Sequence, residues 1–413
     1  MTSERRIEYA GSVHDDREIE AVVGVLRGGP TAMRIGKNVK AMEQRVAELF
    51  GKRRGVMCNS GSSALYLAVE VLGLEPGDEI VTSAVTFATD VAPMLRAGLV
   101  PAFVDVTPTT FQIDVDAIDE MIGPRTKAIL TPNLIGNAPD WDRIREIADR
   151  HGLKVVEDSC DALGLTLRGT PTGTRADISL TSFALSHIIT AAGTGGMVCF
   201  DDDSLADKAL LLRRWGRRSE VQLFGSTKGI EKRFFSTIAN SDGSTDLEYD
   251  NLFIFDEVGW NFEPSEISAA FGLVQLDKLG ENLARRQRSF DLTSSHFARW
   301  PQHFTLPELT PGVETGWHMF PAIINPESGI RRGEFQQWME THGVDTRMVW
   351  TGNAARQPAF RDKPHRVPAG GLPNADRVME WGIVLPNNHS MTDEDCEYIG
   401  ECIEGFLKEK GLI

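Results

Sequence analysis

Short apolar runs alternate with helix-like segments between about residues 54 and 200, and this alternation restricts the fold more than any other feature of the chain. Runs of this length that are rich in Val and Ile and bounded by Gly, Pro or Asp predict buried strands. They are GDEIVTSAV, PAFVDVT, TKAILTPNL, LKVVEDS, ISLTSF and GGMVCF. Segments 62–74, 89–98 and 141–151 predict the intervening helices. We therefore expect an α/β fold with a mostly parallel sheet between helices, in which ligands bind at the carboxyl ends of the strands.

The rest of the chain predicts less regular structure. Residues 217–252 are polar and rich in Gly and Ser, which indicates an irregular surface excursion. Residues 264–290 show apolar spacings of three and four, which predict one long helix. Farther on, WHMFPAIIN predicts a strand and FQQWMETHG a helix. We expect a large domain over residues 1–285 and a smaller α+β domain over residues 286–413.

Charge and cysteine content disfavour several classes of protein. The 413 residues include 43 basic and 59 acidic ones, and the net charge of −16 argues against a nucleic-acid partner. No run approaches about 18 consecutive apolar residues, so we expect no membrane span, and the charged N-terminus lacks the apolar segment of a secretory signal. The five cysteines are scattered and odd in number. This is typical of free thiols in a reducing compartment, so we expect a cytoplasmic protein.

Three short segments carry groups capable of chemistry, and each also has an ordinary structural explanation. Small polar residues and Gly61 precede an apolar helix, an arrangement that suits either an anion site or a plain serine N-cap. Glu157 and Asp158 end a predicted strand, where an acid could pair with a protonated ring nitrogen or could cap a helix. His187 follows the next strand, and could be a packed histidine or a group that transfers protons near neutral pH.

These segments occur in an order that resembles the DegT/DnrJ/StrS family. The order is N-S-G-S-S-A-L from Asn59, T-F-A-T-D from Thr86, E-D-S-C-D-A-L-G from Glu157, S-F-x-x-x-H from Ser182, G-T-G-G from Gly193 and G-W-N-F from Gly259. The resemblance covers nearly the whole chain. It implies the type I aminotransferase fold, a nucleotide-sugar substrate, and pyridoxal 5'-phosphate (PLP) or its amine form, pyridoxamine 5'-phosphate (PMP), as the cofactor.

The resemblance also implies which residues contact the cofactor. They are Gly61, Ser62, Phe87, Asp158, Asp161, Ser182 and Asn261. The glycine and the two serines of this set would hold the phosphate. Phe87 would stack on the pyridine ring, and Asp158 would keep the ring nitrogen protonated. Asn261 would reach the phosphate bound by the neighbouring subunit, which implies a homodimer with a shared active site.

One position departs from the family in a way that changes the expected chemistry. Most members carry a lysine five residues after the serine of S-F, and this lysine forms a Schiff base with the cofactor; here the position is His187. Imidazole forms no stable Schiff base, so we exclude a lysine-anchored resting state. The exchange resembles the sugar 3-dehydratase branch of the family, in which PMP works unattached and the histidine moves protons. T-R from Thr346, G-N from Gly352 and R-Q-P from Arg356 resemble signatures of that branch.

The branch has a form with a [2Fe–2S] cluster and a form without one. The cluster form places one ligand in D-S-C-D and three more in a later C-x-C…C stretch. Cys160 stands at the first position, but Ser219 and Val221 occupy the next two, and no cysteine lies between residues 200 and 395. Because such a cluster usually needs four thiolates, we expect no iron–sulfur cluster and no metal. The chain resembles the cluster-free form, which recharges its cofactor from glutamate.

We therefore predict a PLP/PMP-dependent 3-dehydratase that acts on a nucleotide-linked 4-keto-6-deoxyhexose, with His187 and Asp158 as catalytic residues. An aminotransferase that holds PLP noncovalently shares every cofactor residue and is the first alternative. A non-catalytic homologue is the second, because G-T-G-G replaces the usual G-E-G-G and Glu263 replaces a basic residue. Arg347 and Arg356 could bind a diphosphate through their guanidinium groups, or could form surface ion pairs.

Overall fold

Helices make up most of the regular structure. The computed structural model describes residues 5–226, 228, 235–242 and 246–413. The α-helices of this part are α1 Asp16–Arg27, α2 Lys37–Leu49, α3 Gly61–Val71, α4 Ala88–Arg96, α5 Ile118–Met121, α6 Trp141–His151, α7 Asp203–Arg213, α8 Ser219–Phe224, α9 Glu266–Asp277, α10 Leu279–Phe297, α11 Arg332–Thr341, α12 Pro373–Trp381 and α13 Asp393–Glu409. None of the described helices combines the length and the apolar character that crossing a bilayer requires.

A seven-stranded sheet forms the centre of the protein. Its strands are β1 Arg54–Cys58, β2 Glu79–Ser83, β3 Val100–Val104, β4 Thr126–Pro132, β5 Lys154–Asp158, β6 Ile178–Ser182 and β7 Gly196–Phe200. They lie in the order β1-β7-β6-β5-β4-β2-β3. Neighbouring strands pair in parallel, except that β7 is antiparallel to both β1 and β6. The carboxyl ends of β4, β5 and β6 therefore meet at one edge of the sheet.

Helices cover both faces of this sheet. Val156 of β5 packs in a core with α3 and α7, whereas its neighbour Val155 packs in a core with α6. Successive side chains of a strand point to opposite faces, so these two cores lie on opposite sides of the sheet. The arrangement confirms the predicted α/β fold with a mostly parallel sheet between helices.

The smaller strands lie around and after this sheet. Two form a hairpin, β8 Phe235–Ile238 and β9 Leu247–Asp250, and three form an antiparallel sheet, β10 Phe304–Thr305, β11 Phe320–Ile324 and β12 Gly382–Leu385. Two-residue strands pair Val106–Thr107 with Gln112–Ile113, and Thr166–Leu167 with both Thr170–Pro171 and Val313–Glu314. The antiparallel sheet packs in one apolar core with α10, α11 and α13. Ile7 fills part of the same core and pairs with Val344.

The structure corrects one predicted element and refines another. The single helix predicted over residues 264–290 is wrong, because α9 ends at Asp277 and α10 begins at Leu279. The intervening Lys278 binds Glu18 of α1 through its ammonium group, a tertiary contact that apolar spacing does not reveal. The domain boundary predicted between residues 285 and 286 falls within α10 and stays a prediction. In the predicted excursion, α8 and the β8–β9 hairpin are regular, while residues 227, 229–234 and 243–245 lie outside the described residues.

Candidate active site

A cavity of about 570 Å³ lies at the carboxyl edge of the central sheet. Pro132, Asp158 and Ser182, the last residues of β4, β5 and β6, line it. This is the edge where the strand pattern places a ligand site. Eight of the ten predicted site residues line the cavity: Gly61, Ser62, Phe87, Asp158, Asp161, Ser182, His187 and Arg347.

The first turn of α3 presents free backbone N–H groups to the cavity. Ser60 is the N-cap, and its side chain accepts a hydrogen bond from the Ser63 N–H at 3.1 Å. The N–H groups of Gly61 and Ser62 have no preceding helical carbonyl to bind, so together with the helix dipole they favour an anion. A Cβ on Gly61 would lie 2.5 Å from the Cβ of Ser182, so glycine is needed where β6 approaches this turn. The segment is thus both a serine-capped helix start and a suitable anion site.

The G-T-G-G segment holds this turn in place. A Cβ on Gly196 would lie 2.2 Å from the carbonyl oxygen of Ser60 and 2.7 Å from the nitrogen of Gly61. The Thr194 hydroxyl donates a hydrogen bond to the carbonyl oxygen of Asn59 at 2.7 Å. Threonine at the unusual position of this segment therefore fixes the residues that precede α3.

We expect Gly196→Ala to destabilise the protein by about 3 kcal/mol, because a methyl group cannot share the space of the Ser60 carbonyl oxygen. PLP affinity should also fall, since the N–H groups of the turn would shift with Ser60. Chemical denaturation and an absorbance titration with PLP measure the two effects. Gly280→Ala in α10 is the control, because its Cβ would meet open space and the change should be neutral or stabilising. A Gly196→Ala protein as stable as the original would contradict the steric explanation.

Phe87 and Asp158 present an apolar face and a buried carboxyl group to the cavity. Phe87 is the N-cap residue of α4, and it is 51% exposed although it is a large apolar side chain. Asp158 is 4% exposed, and its Oδ1 accepts a hydrogen bond from the Cys160 N–H at 2.8 Å. Burial raises the pKa of Asp158, and no cationic side chain among the described residues pairs with it. The Asp158 carboxylate therefore lacks a counter-charge within this part of the chain.

Glu157 has a structural role. It is fully buried and accepts hydrogen bonds from four neutral side chains. The donors are Asn133, Ser159, Thr172 and Ser179. These bonds fix the end of β5 and with it the position of the next residue, Asp158.

The groups around the cavity fit the cofactor that the sequence implies. PLP and PMP carry an anionic phosphate, a flat aromatic ring and a ring nitrogen that can be protonated. The N–H groups of α3, the face of Phe87 and the carboxyl group of Asp158 offer one complementary group for each. A protonated ring nitrogen would supply the cation that the buried Asp158 lacks.

His187 lines the cavity as a neutral base. Its Nδ1 lies 2.7 Å from the carbonyl oxygen of Cys160, and because a carbonyl only accepts, Nδ1 carries the proton and Nε2 the lone pair. Nε2 has no hydrogen-bond partner within the described ranges. The pKa of His187 is lowered to about 4, mainly by burial and to a smaller extent by the nearby His318. The ring is therefore uncharged at neutral pH and can accept a proton directly.

We expect catalysis to be lost only at acidic pH, because an imidazolium cannot accept a proton. As the pH decreases, kcat/KM should stay level past 6.5, the ordinary pKa of histidine, and fall through a value near 4. Between these values the folded state binds fewer protons than the unfolded state, so folding stability should decrease as the pH falls through this window. A pH–rate profile and denaturation over the same range measure both. A kinetic pKa of 6.5 or above would contradict a buried neutral base.

The side chains of Asp161 and His318 lie next to each other beside His187. His318 Nδ1 lies 3.0 Å from an Asp161 oxygen without hydrogen-bond alignment, and His318 Nε2 donates to the Ser186 carbonyl at 2.8 Å. The rings of His187 and His318 are 5.4 Å apart. Burial alone would raise the pKa of Asp161, but His318 and His187 outweigh burial and lower it. Asp161 is therefore a carboxylate that faces two imidazoles, while its predicted contact with the cofactor stays a prediction.

Arg286 of α10 holds the backbone around both histidines. Its side chain is almost completely buried and donates to the carbonyl oxygens of His318 and Asn387 at 2.8 Å and of His187 at 3.2 Å. A buried guanidinium that satisfies three carbonyls restricts the loop after β6. The position of the His187 ring is thus tied to α10 and to the C-terminal core.

The remaining predicted residues lie at the rim or outside the cavity. Arg347 lines the cavity, and its guanidinium carbon lies 4.7 Å from the centre of the Tyr9 ring. Arg356 does not line it and pairs instead with Asp376 at 2.9 Å on the surface. Asn261 is exposed and also lies outside the cavity. The roles of these residues toward substrate and partner stay predictions.

Glu263 and Cys160 account for two unusual sequence positions. Glu263 forms an ion pair with Arg214 at 3.1 Å, which balances the charge where the family has a basic residue. Cys160 lines the cavity as a free thiol, and burial raises its pKa well above the ordinary value. Within the described ranges, no group of three or more His, Cys, Asp or Glu side chains could hold a metal ion.

Several residues that line the cavity are not among the predicted site residues, and four of them carry aromatic rings or carboxyl groups. They are Tyr9, Asp90, His318 and Trp350, all of which line the cavity. Asp90 belongs to the T-F-A-T-D segment, but nothing in that segment indicates that its side chain lies near Asp158. His318 is the second residue of the predicted strand WHMFPAIIN, and only the tertiary fold brings it to His187.

Known proteins match almost the whole chain. It is 35% identical to dTDP-4-dehydro-2,6-dideoxy-D-glucose 3-dehydratase of Saccharopolyspora spinosa, over 90% of this chain and 80% of that protein. It is 32% identical to the lipopolysaccharide biosynthesis protein RfbH of Salmonella typhimurium, over 96% and 91%. It is 29% identical to the GDP-perosamine synthase of Caulobacter vibrioides, over 90% and 91%. The structure of E. coli GDP-4-keto-6-deoxy-D-mannose-3-dehydratase with bound hydrated PLP matches with a TM-score of 0.84 and 27% identity, over 96% of this chain and 100% of that chain.

The fold and the site define a protein with the PLP-dependent aminotransferase fold, as predicted. The chain belongs to the DegT/DnrJ/EryC1/StrS aminotransferase family, which it matches over residues 13–404. Homologous structures contain PLP or a PLP–glutamate geminal diamine, in agreement with the predicted cofactor. The relatives include sugar 3-dehydratases and sugar aminotransferases, so membership establishes a PLP-dependent sugar-modifying family and leaves the reaction itself to the site.

Proposed function

We propose that the protein is a PLP/PMP-dependent 3-dehydratase of a nucleotide-linked 4-keto-6-deoxyhexose. The observation that carries this proposal is His187, a neutral imidazole with a free Nε2 in the cavity, at the position where most of the family has a lysine. None of the described residues that line the cavity is a lysine. A site with a base and no covalent anchor suits a cofactor that enters as PMP and leaves as PLP.

The residues divide the work between binding and proton transfer. Gly61, Ser62 and Ser182 bind the phosphate, and Asp158 holds a proton at the ring nitrogen. When bound, PMP supplies an amine that can join the 4-keto carbon and a ring that can take up an electron pair. His187 Nε2 accepts a proton and delivers it to the hydroxyl group that departs from sugar carbon 3. Asp158 stabilises the charge that develops meanwhile.

The overall reaction replaces the hydroxyl group at sugar carbon 3 by a hydrogen atom. A 4-keto-6-deoxy sugar and glutamate give a 3,6-dideoxy-4-keto sugar, 2-oxoglutarate and ammonia, which balances atoms and electrons. Glutamate is the proposed amino donor because a homologous dehydratase was solved with a PLP–glutamate adduct. Arg347 at the cavity rim is the proposed contact for the diphosphate of the sugar nucleotide.

A single-turnover experiment tests the proposal. The protein is incubated with PMP and with GDP-, dTDP- or CDP-linked 4-keto-6-deoxyhexoses, and the products are analysed by mass spectrometry. We expect a sugar that has lost the carbon-3 oxygen and contains no amine nitrogen, together with free ammonia. A stable 4-amino sugar as the main product would overturn the proposal.

A nucleotide-sugar aminotransferase with noncovalent PLP is the second candidate. The observation that favours it is the 29% identity to GDP-perosamine synthase over 90% of this chain. His187→Lys separates the two candidates, because a lysine can release amino products from the cofactor. If this variant gains transamination and loses the 3-dehydration of the original protein, the dehydratase assignment is supported. An original protein that already transaminates, and does so faster as His187→Lys, supports the second candidate.

A non-catalytic homologue is the third candidate, because the G-T-G-G segment and Glu263 differ from the family pattern. The absorbance spectrum of the protein during titration with PLP or PMP distinguishes it. Saturable binding with a shifted cofactor band supports either enzyme. A protein that binds neither form would be a homologue without this chemistry.

We also propose a homodimer, in the cytoplasm, in which Asn261 completes the partner's site. Several large apolar side chains near Asn261 are at least half exposed in the single chain, which favours their burial against a second copy. They are Phe253, Phe255 and Val258. Five free cysteines favour a reducing compartment. Sedimentation of the original protein and of Val258→Lys tests the dimer, and we expect the variant to dissociate more readily.

A further inference from the structure

Asp90 is a second buried carboxyl group in the cavity, next to the acid assigned to the ring nitrogen. It lies in the first turn of α4, is fully buried, and lines the cavity together with Asp158. The two carboxyl groups are close enough to form a hydrogen bond with each other. Asp90 has no role in the proposed reaction.

The two carboxyl oxygens of Asp90 have different contacts. The Thr86 hydroxyl donates a hydrogen bond to Asp90 Oδ2. Oδ1 is buried and receives no N–H or O–H from the described residues. Asp158, by contrast, accepts the Cys160 N–H at 2.8 Å, which favours its charged form. A bare oxygen lone pair facing another carboxylate would repel it, whereas an O–H at Asp90 Oδ1 would bind it.

The charges around Asp90 favour the same proton. Burial raises the pKa of Asp90 well above its ordinary value, and the negative charges of Asp158 and Asp161 raise it further. Two buried carboxylates that share a site cannot both ionise without a cation between them. Among the described residues, Asp158 and Asp161 are the charged groups with the largest effect on Asp90, and both are acidic.

We propose that Asp90 is a positioning residue that remains a neutral carboxylic acid and donates a hydrogen bond to Asp158. This bond fixes the rotamer of Asp158 and leaves the Asp158 charge available to the ring nitrogen of the cofactor. The effect on the cofactor rests on the proposed function. The protonation of Asp90 does not depend on the proposed function, because both carboxyl groups are present in the protein without cofactor.

Infrared difference spectroscopy of the cofactor-free protein tests the proton on Asp90. We expect the spectrum of the original protein minus Asp90→Asn to show the carbonyl stretch of a protonated carboxyl group at neutral pH, with a shift in D₂O. Asp376→Asn is the matched control, because Asp376 also lies in the first turn of a helix but is paired with Arg356. Its difference spectrum should show only an ionised carboxylate. Absence of the protonated band for Asp90 would overturn the proposal.

PLP titration tests the positioning role. Asp90→Asn keeps an N–H donor toward Asp158, so its dissociation constant should stay within about twofold of the original. Asp90→Ala loses the donor, and its affinity should fall about tenfold, as for the loss of a hydrogen bond to a charged group. Equal affinities of the Asn and Ala variants would overturn the role. If the original protein binds no PLP, the proposed function fails, but the infrared band still decides whether Asp90 is protonated.

Discussion

Replacing His187 by Asn is expected to lower the rate of carbon-3 oxygen loss by about 1,000-fold, with little change in cofactor binding. Asparagine retains an N–H that can bind the Cys160 carbonyl oxygen, the partner of His187 Nδ1 at 2.7 Å. It has nothing in place of Nε2, so the proton acceptor is removed while the local hydrogen bond is kept. Single-turnover kinetics measure the rate, and absorbance titration with PLP measures binding.

His365→Asn is the matched control for this variant. His365 also binds a backbone carbonyl through Nδ1, that of Lys363 at 2.8 Å, but it does not line the cavity. Its replacement should leave the rate unchanged. A His187→Asn protein with at least a tenth of the original rate would show that another group transfers the proton.

Asp158→Asn is expected to change activity and stability in opposite directions. The amide cannot supply the negative charge that holds a proton at the ring nitrogen, so the rate should fall by about 100- to 1,000-fold. Without cofactor, however, the variant no longer buries a carboxylate that lacks a cationic partner in the described part of the chain. Its thermal midpoint in the cofactor-free state should therefore equal or exceed that of the original protein.

The neighbouring acid provides the comparison for this variant. Glu157 accepts hydrogen bonds from four neutral side chains, so Glu157→Gln would place an amide against groups that donate. We expect Glu157→Gln to lose stability by about 2 kcal/mol or more in the cofactor-free state. Calorimetry of both variants measures the contrast. An Asp158→Asn protein that is less stable yet fully active would contradict the assigned role of Asp158.

The parts of the structure that depend on local pattern could be predicted from the sequence. Each of the six predicted strands overlaps one strand of the central sheet, because buried strands are short continuous apolar runs. The seventh strand, β1, is not among the predicted ones. The sequence pattern places Asp158 and Ser182 at strand ends, and the sheet brings those ends together. The position of His187 five residues after Ser182 predicts a base in place of the family's lysine. The structure shows which ring nitrogen of His187 carries the proton.

The rest depends on contacts between distant segments. The apolar periodicity continues through Lys278. At the break between α9 and α10, its ammonium group binds Glu18 of α1 and Asp15, the N-cap residue of that helix. Arg286 and His318 approach His187 from residues about 100 positions or more away along the chain. The sequence does not indicate whether Arg356 binds a diphosphate or a carboxylate, because a guanidinium group suits both. In the structure it pairs with the carboxylate of Asp376.

The N-terminal segment has a practical consequence for work on this protein. Tyr9 forms one wall of the cavity, and its N–H binds Asp345 at 3.0 Å, while Ile7 fills the C-terminal core. The match to the family begins only at residue 13. A fragment that begins at residue 13 would therefore have a wider cavity and a less completely packed C-terminal core than the full chain. Ligands selected for binding to such a fragment would be selected against a cavity that lacks the Tyr9 wall.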